Sequence, residues 1–406
     1  MKTCKLNGIK LSEYIVVSDN GGAVMSLCSG LFEKYGVKLC AVGEGSAVDG
    51  PAIRIGSFGC DSYGGYRYCV GSRDGDIFID GESGSLQEAA VGFLLTRILG
   101  EGGELTVPVL RYGYRWFKEK EAHTDTVFAE TTVERELARG VKYYEKKYIN
   151  NEGKNSNAFF TVVSGDTETE FRVWAGDMAA LGTKRQMTVK TVTEQAVDFE
   201  AVKGEEVLSA VNASYFRMFD GGSNYPYGLR VLDGEILCEP MIILDWKPWM
   251  RPDLWIGLTY EGKLVWGDKV SYEAEYRGKI KYGVAVGCPM MRNGKIEFMR
   301  RSGVDPLTGI AMTSDGGYAL VCVDGRTEES VGCTTADILG MFLDLEADIP
   351  GIKFENVFIL DGGGSTEMVL KEDGRFVTKN IPSTFVDGVS VSRPVGDIIA
   401  VAIPKK

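Results

Sequence analysis

Histidine is nearly absent from this chain, and its absence restricts the chemistry that the protein can perform. His123 is the only histidine among 406 residues. It falls in a highly charged segment at residues 118–125 (KEKEAHTD) that is predicted to be a solvated linker. Ser–His–Asp triads and metal sites with several histidines are therefore not expected. Acid–base chemistry would fall to carboxylates, tyrosine, lysine or cysteine.

Paired cysteines and long apolar segments are also missing. The nine cysteines are an odd number without a CxxC pair, which argues against a disulfide framework and against a zinc site. No apolar run approaches the roughly 20 residues that span a bilayer, so no membrane span is predicted. The first residues lack the apolar core of a signal peptide. We therefore expect a cytoplasmic protein, or an extracytoplasmic one if a leader has been removed.

Positive charge is in deficit, because 45 lysines and arginines face 57 acidic residues and give a net charge of −12. A nucleic-acid partner is therefore not expected. A phosphorylated substrate is compatible with this charge, since a few local arginines can outweigh the global field. The sequence leaves the oligomeric state open.

The pattern of strands and helices changes along the chain and predicts an α+β protein. Residues 1–112 alternate strand and helix patterns and are predicted to form a small α/β accessory domain. Ser85 and Glu88 are predicted to begin a helix there as a capping box. Residues 113–126 form the predicted linker, and residues 127–406 form a larger β-rich α+β domain.

Short turns with a defined chemistry recur in the larger domain. Asp-Gly or Asn-Gly pairs such as those at 233–234, 293–294 and 373–374 predict hairpins, because these residues tolerate positive φ. One convincing helix interrupts the strands, and Thr334 with Asp337 is predicted to form its capping box.

Residues 357–366 (VFILDGGGST) carry the most information. The apolar run at 357–360 predicts a strand buried on both faces. It leads directly into Asp361 and three glycines, whose lack of Cβ lets a ligand approach the backbone. Consecutive N–H groups in such a turn can form an anion-binding nest. The alternative is a tight turn in which Asp361 caps its own loop.

Other predicted strands also end in polar groups. Asn212 and Tyr215 follow one strand, Asp324 and Arg326 follow another, and Arg393 lies near the end of the chain. Each has a structural alternative, since an amide can pair with backbone and neighbouring charges can form a surface ion pair. Taken together, carboxylates, arginines and aromatic faces suit a sugar that bears a phosphate.

Five motifs follow one another in residues 125–406, at residues 211–216 (VNASYF), 227–235 (YGLRVLDGE), 320–326 (LVCVDGR), 360–366 (LDGGGST) and 393–395 (RPV). In this order they resemble the motifs of the phosphodiester glycosidase family. The N-terminal domain resembles, more diffusely, the accessory α/β domain of glycoside hydrolases such as α-glucuronidases and β-hexosaminidases. Its matching strands lie at residues 53–56, 66–68 and 77–81.

The family resemblance implies a hydrolase that cleaves the bond between an anomeric carbon and a phosphate in a glycosyl-1-phosphodiester. N-acetylglucosamine and bacterial surface polysaccharide are the sugar and the context that it suggests. Asp361 is the expected catalytic carboxylate, with Asp324 second. The residues expected to bind the substrate are Asn212, Tyr215, Arg230, Arg326, Gly362, Gly363, Gly364, Ser365, Thr366 and Arg393.

Two departures from the family pattern keep alternatives open. Leu307 stands where the family usually has an arginine, which favours as an alternative a carbohydrate or sugar-phosphate binding protein without turnover. Glu367 stands where a small or hydroxyl residue is usual and adds negative charge near the glycines. No cofactor is firmly expected. A calcium-assisted carbohydrate protein is a third reading, with oxygen ligands from Asp315, Asp324, Asp361 and Glu367.

Overall fold

The computed structural model describes most of the chain. The described residues are 5–6, 8–58, 66–73, 75–81, 83–95, 99, 104–105, 113–115, 127–150, 152–175, 187–217, 225–241, 251–297, 303–349 and 351–405. His123 and most of the predicted linker at 113–126 lie outside them.

The chain divides into two compact units, each assembled from several segments. The first contains Met1–Thr131, Lys146–Asn155 and Leu339–Gly351, and the second contains Thr132–Glu145, Ser156–Ile338 and Ile352–Lys406. The predicted boundaries at residues 112 and 126 stay predictions.

The N-terminal part of the chain forms a mixed α/β layer. Its elements are β1 (Lys5–Leu6), β2 (Ile9–Lys10), β3 (Ile15–Val17), α1 (Gly21–Tyr35), β4 (Cys40–Val42), β5 (Ala52–Gly56), β6 (Tyr66–Arg73), β7 (Asp76–Gly81), α2 (Gly84–Phe93), β8 (Glu104–Leu105) and β9 (Gly113–Arg115). A six-stranded sheet has the order β4-β3-β5-β7-β6-β9. Strands β3, β4, β5 and β7 are parallel, and β6 is antiparallel to its neighbours.

Helix α2 begins two residues earlier than its predicted cap implies. Ser83 is the N-cap, and its hydroxyl accepts a hydrogen bond from the amide of Leu86. The predicted capping box of Ser85 with Glu88 is therefore wrong. Both serines offer a capping hydroxyl, but Ser83 is the one in extended conformation, and Ser85 already lies in the first helical turn.

The rest of the chain is dominated by strands. Its elements are β10 (Val127–Ala138), β11 (Val141–Ile149), β12 (Asn155–Val163), β13 (Glu170–Ala175), α3 (Val192–Lys203), β14 (Glu206–Asn212), β15 (Phe216–Arg217), β16 (Tyr225–Pro226), β17 (Arg230–Leu232), β18 (Glu235–Cys238), β19 (Trp255–Thr259), β20 (Leu264–Gly267), α4 (Lys269–Ser271), β21 (Ile280–Ala285), β22 (Pro289–Arg292), β23 (Lys295–Ile296), β24 (Leu307–Thr313), β25 (Tyr318–Val323), α5 (Thr335–Asp348), β26 (Phe354–Ile359), β27 (Met368–Glu372), β28 (Arg375–Thr378), β29 (Thr384–Val386), β30 (Val389–Val391) and β31 (Asp397–Ile403).

Three sheets contain most of these strands, and β15 with β16 and β29 with β30 form separate two-stranded sheets. The largest has the order β10-β11-β12-β25-β24-β26-β22-β23, and two five-stranded sheets have the orders β13-β31-β14-β27-β28 and β18-β17-β21-β19-β20. One buried apolar cluster takes residues from all three, among them Ile310, Val401 and Ile256. Helix α3 packs through Phe199 on the sheet that contains β14 and β31. The predicted α+β class is confirmed.

The predicted turn and cap chemistry is confirmed at several places in the β-rich part. Asp233, Asn293 and Asp373 have φ of 53°, 48° and 48°, and each precedes a glycine that also has positive φ. These pairs connect β17 to β18, β22 to β23 and β27 to β28. Thr334 and Asp337 exchange the hydrogen bonds of a capping box at the start of α5.

The order of three central strands places two carboxylates at one edge of the large sheet. Strand β24 lies between β25 and β26 and is antiparallel to both. The carboxyl ends of β25 and β26 therefore emerge at the same edge, about 10 Å apart across two strand spacings. Asp324 follows β25 and Asp361 follows β26 at this edge. Among the described residues, no helix is both long and apolar enough to cross a bilayer.

Candidate functional site

Asp361 is held from both sides of its own backbone. Its N–H donates to the carbonyl of Ala213 over 2.8 Å, and its carbonyl accepts from the side-chain amide of Asn212 over 2.6 Å. Asn212 is the last residue of β14, and Ala213 follows it directly. The residue is thus fixed at the end of β26 by a strand of another sheet, which gives its carboxyl group a defined direction.

Asn212 is buried, and its side chain bonds to three protein groups. Besides donating to Asp361, it accepts from the hydroxyl of Thr308 over 2.7 Å and from the amide of Glu367 over 3.1 Å. These bonds tie the ends of β14, β24 and the segment before β27 together. Two of these bonds are to backbone groups, of Asp361 and Glu367, in agreement with the structural alternative for Asn212 raised from the sequence. Its predicted contact with substrate stays a prediction.

After Asp361, Gly362 is extended and Gly363–Ser365 form a short 3₁₀ turn. Most of the backbone N–H groups of this segment already donate to acceptors in the protein. Gly362 N–H donates to the Asp361 carboxylate, and Gly363 N–H donates to the carbonyl of Pro306. The amides of Ser365 and Thr366 donate back into the loop. Across the described residues, Gly364 N–H is the amide of this turn that has no acceptor in the protein. The predicted anion nest is therefore reduced to one free amide.

Two guanidinium groups lie against the glycines. A Cβ built on Gly363 would lie 3.1 Å from a terminal nitrogen of Arg326, and one built on Gly364 would lie 2.3 Å from the guanidinium carbon of Arg393. Only residues without Cβ permit this approach. Arg326 also donates to Asp305 over 3.3 Å. The structure thus brings together two of the arginines predicted to bind phosphate.

Burial raises the pKa of the Asp361 carboxyl to about 7. Hydrogen bonds from Ser365 and Gly362 and the charge of Arg393 act in the opposite direction, and Asp397 adds a small upward effect. A carboxyl group in this range can exchange a proton near neutral pH, as an acid or a base requires, and its ionised form can act as a nucleophile. Ser365, which the sequence predicts to bind the substrate, thus donates a hydrogen bond to the carboxyl group of Asp361.

Asp324, the second predicted catalytic carboxylate, is buried, and burial raises its pKa to about 7. Its carboxylate accepts from the backbone amide of Ile381 over 2.7 Å and from the side chain of Asn380. These bonds direct it toward the segment that leads into β29. This geometry gives Asp324 a part in positioning that segment, and its catalytic role stays a prediction.

Arg230 lies in a closed network behind Asp361. Its guanidinium donates to Asp397 through Nε over 2.9 Å and through a terminal nitrogen, and both side chains have no exposed surface. Asp397 also accepts from the amide and the hydroxyl of Ser214 over 2.7 and 2.6 Å. This network fixes residues 213–214, and Ala213 accepts the backbone hydrogen bond of Asp361. Contact of Arg230 with substrate stays a prediction.

The remaining predicted residues border the same region. Tyr215 is half-buried, and its ring edge lies 3.0 Å from the position of a Cβ on Gly287. The hydroxyl of Thr366 is buried and, in the part of the chain that the structure describes, has no hydrogen-bond partner. Leu307 is buried, and its side chain lies 3.0 Å from the position of a Cβ on Gly362.

Glu367 does not direct its charge at the glycines. Its carboxylate accepts from the hydroxyls of Thr378 over 2.9 Å and Ser392 over 2.5 Å. Burial raises its pKa, and these hydrogen bonds oppose the shift. Because Ser392 precedes Arg393, Glu367 helps to hold the segment that presents this arginine.

The residues proposed as calcium ligands were Asp315, Asp324, Asp361 and Glu367. Within the described ranges, no group of three acidic, cysteine or histidine side chains is close enough to hold a metal ion. Asp315 accepts within its own turn from Gly317. The calcium reading gains no support from this arrangement and stays untested.

Two features that position the site residues, Asp397 and the hairpin of β29 and β30, were not predicted from the sequence. Asp397 gave no local signal, because it lies within an apolar C-terminal strand. The hairpin of β29 and β30 did give one, the Asp387–Gly388 pair, which has φ of 51° and 78°. Its Ser383 and Thr384 donate to the carbonyls of Gly363 and Gly364.

One family model matches part of the chain. Residues 205–402 match the family model described as phosphodiester glycosidase. Among curated proteins, the SPbeta prophage-derived uncharacterized protein YomE of Bacillus subtilis (strain 168) is 34% identical over 95 residues. That match spans 23% of this chain and 13% of the relative's length.

Solved structures give a partial overlap. The zebrafish N-acetylglucosamine-1-phosphodiester alpha-N-acetylglucosaminidase catalytic domain, auto-inhibited by its pro-peptide, is 16% identical, with a TM-score of 0.47 over 71% of this chain and 90% of that chain. A putative exported protein from Burkholderia pseudomallei is 12% identical, with a TM-score of 0.39 over 61% and 74% of the two chains. Overlaps at these TM-scores are too partial to transfer an activity.

Proposed function

We propose that this chain, whose residues 205–402 match the phosphodiester glycosidase family, hydrolyses the bond between an anomeric carbon and a phosphate oxygen in a glycosyl-1-phosphodiester. One observation carries the proposal. A carboxyl group with a pKa of about 7, that of Asp361, is followed by two glycines that each lie against a guanidinium group, of Arg326 and of Arg393.

The chemistry divides between these groups. Arg326 and Arg393 would bind the phosphate oxygens, and the free amide of Gly364 would donate a further hydrogen bond. When the bond from the anomeric carbon breaks, its electron pair leaves on the phosphate oxygen as a phosphomonoester. The arginines stabilise that developing charge. A strong general acid is therefore less necessary than in an ordinary glycosidase.

Asp361 would act at the anomeric carbon. As a base it accepts a proton from the attacking water, whose oxygen becomes the new hydroxyl of the sugar. As a nucleophile it forms a glycosyl ester that water then hydrolyses. Both routes give a free sugar and a phosphomonoester. They differ in anomeric configuration, which product analysis would determine.

A second candidate, a sugar-phosphate binding protein without turnover, is favoured by Leu307. Its apolar side chain lies beside Gly362, where the family resemblance implies a guanidinium group. Removing that charge would weaken stabilisation of the leaving phosphate while Arg326 and Arg393 still bind it.

The test measures sugar release from a small panel of glycosyl-1-phosphodiesters that includes UDP-N-acetylglucosamine. Wild type is compared with Asp361→Asn and with Asp373→Asn, a matched control at a turn position with positive φ that Asn also tolerates. Release by wild type and Asp373→Asn but not by Asp361→Asn supports the proposal. In water labelled with heavy oxygen, the label should enter the sugar and not the phosphate.

Two other outcomes decide between the candidates. If no variant releases sugar but wild type binds the panel saturably, the binding-protein candidate is favoured. If Asp361→Asn retains full turnover, the proposed role of this carboxylate is wrong.

A further inference from the structure

The hairpin of β29 and β30 is a short, tightly closed element. Its two strands pair Thr384 with Val391, Phe385 with Ser390 and Val386 with Val389. The connection is the two-residue turn at 387–388, in which both residues have positive φ. Turns of this kind match the natural twist of the strands and fix their register.

The base of the hairpin is attached to the glycine turn at several points. Ser383, just before β29, donates to the carbonyl of Gly363 over 3.0 Å, and Thr384 donates to the carbonyl of Gly364 over 3.2 Å. After β30 the chain reaches Arg393, whose guanidinium lies against Gly364. The hairpin is thus held beside the position proposed for the phosphate.

One face of the hairpin is directed toward the glycine turn. Side chains alternate along a strand, and directly paired residues share a face. Val386 and Val389 therefore lie on the same face as Thr384, whose side chain contacts Gly364. Phe385 lies on the opposite face. Two residues of strand place the valine pair about 7 Å further out than Thr384.

The valine pair is apolar and exposed. Val386 and Val389 have 55% and 63% of their surface accessible, in a position where a hairpin tip usually carries polar residues. Its surroundings disfavour an anionic membrane as the occupant, because the turn carries Asp387 and the chain has a net charge of −12. A group already bound at the phosphate would reach this face without any further partner.

We propose that Val386 and Val389 form a subsite for an apolar group esterified to the phosphate, so that the preferred substrates are glycosyl-1-phosphodiesters with an alkyl-type aglycone. This inference rests on the proposed function for the position of the phosphate. It names the substrate class that the same site selects.

The test uses two phosphodiesters with the same sugar that differ only in a methyl or a hexyl aglycone. Wild type should cleave the hexyl ester with kcat/KM about tenfold higher, as partial burial of a short alkyl chain predicts. The double variant Val386→Thr with Val389→Thr keeps the β-branched shape and the hairpin. In this variant the preference should disappear, so that kcat/KM is about equal for the two esters. The methyl ester should be cleaved as in wild type.

Phe385→Thr is the matched control, since Phe385 is 48% exposed on the opposite face of the same hairpin. It should leave the preference for hexyl unchanged. If Phe385→Thr and the valine variant reduce the preference equally, the preference does not depend on the face that carries Val386 and Val389, and the subsite is wrong. Equal cleavage of both esters by wild type would overturn it while leaving the proposed function intact.

If wild type cleaves neither ester, the proposed function fails and the subsite is tested by binding alone. Hexyl phosphate and methyl phosphate are titrated into wild type and the valine variant by calorimetry. Tighter binding of hexyl phosphate to wild type, lost in the variant, supports the subsite. Equal affinity for both phosphates rejects it.

Discussion

Two carboxylates with arginine neighbours, Asp361 and Asp397, lie in the same β-rich part of the chain and have opposite surroundings. Asp397 is enclosed with Arg230, and its two oxygens also bond to Ser214. Asp361 bonds locally to Gly362 and Ser365 and only senses the charge of Arg393, which lies against the glycine turn.

The difference shows that residue type alone does not decide function. An ion pair whose hydrogen-bonding capacity is used inside the protein can position its surroundings but has nothing left to offer a ligand. The carboxyl group of Asp361 keeps a pKa near neutrality, and Arg393 lies beside an amide without an acceptor. The closed pair of Arg230 and Asp397 fixes residues 213–214. Ala213 in turn binds the backbone of Asp361, which with Arg393 forms the open pair.

The largest expected contrast comes from changing each aspartate to asparagine. Asp361→Asn should lower kcat by about a thousandfold, because the group that transfers a proton or attacks carbon is lost. Asp397→Asn should instead lower the free energy of unfolding by about 3–5 kcal/mol, because Arg230 is left buried without its charge partner. Turnover assays and urea unfolding of both variants measure the two effects.

One result would contradict the expected contrast between the two variants. If Asp397→Asn unfolds at the same urea concentration as wild type, the closed pair does not hold the site. Arg230→Met is the second variant for this arm, since it removes the other partner and should destabilise by a similar amount.

Turnover and stability should depend on pH in opposite directions at Asp361. Its pKa is raised from 3.8 to about 7, so between these values the folded state holds a proton that the unfolded state has lost. Stability therefore falls as pH rises through this window, by on the order of 3 kcal/mol for this group. Turnover by the ionised carboxylate should rise over the same window.

The measurement is unfolding free energy at pH 4.5, 6 and 8 for wild type and Asp361→Asn. The variant should lose less stability across the series and be the more stable protein at pH 8. Asp324, whose pKa is also raised to about 7, contributes equally to both proteins and cancels in the difference. Parallel curves for the two proteins would show that Asp361 is not held protonated in the folded state.

Much of the fold could be predicted because its signals are local. Turns such as the one at Asp233 need only two adjacent residues that tolerate positive φ, and the cap of α5 needs only Thr334 and Asp337. The start of α2 was missed because two serines offered the same capping group. The choice between Ser83 and Ser85 depends on where the preceding strand ends.

The site could be predicted in part for the same reason. Asp361 stands out as a carboxylate between a buried strand and glycines, whatever surrounds it. The burial of Arg230 could not be predicted, because its partner Asp397 is distant in sequence and meets it only through sheet packing. Similarly, Glu367 looked like a charge beside the glycines, but its hydrogen bonds turn it toward Ser392.

Gly364→Ala should displace the Arg393 guanidinium from the position proposed for the phosphate without unfolding the protein. The new Cβ would lie 2.3 Å from the Arg393 guanidinium and 2.6 Å from the Thr384 hydroxyl, so both side chains must move away. KM should rise about tenfold, equivalent to about 1.4 kcal/mol, while the displaced Thr384 hydrogen bond costs about 1 kcal/mol of the free energy of unfolding. Gly45→Ala, where a Cβ meets nothing within 4 Å, is the control. An unchanged KM in Gly364→Ala would exclude Arg393 from phosphate binding.

The smallest effect is expected from Glu367→Gln. The new amide oxygen can still accept from Ser392, so Arg393 should stay near its position, and KM should rise only about two- to threefold. Glu367→Ala removes the acceptor and should raise KM further while kcat changes little, which general destabilisation would not produce. Glu372→Gln, at a partly exposed ion pair with Arg135, is the charge-matched control and should be silent. If Glu367→Ala changes stability but not KM, Glu367 stabilises the fold alone and Arg393 is positioned by other contacts.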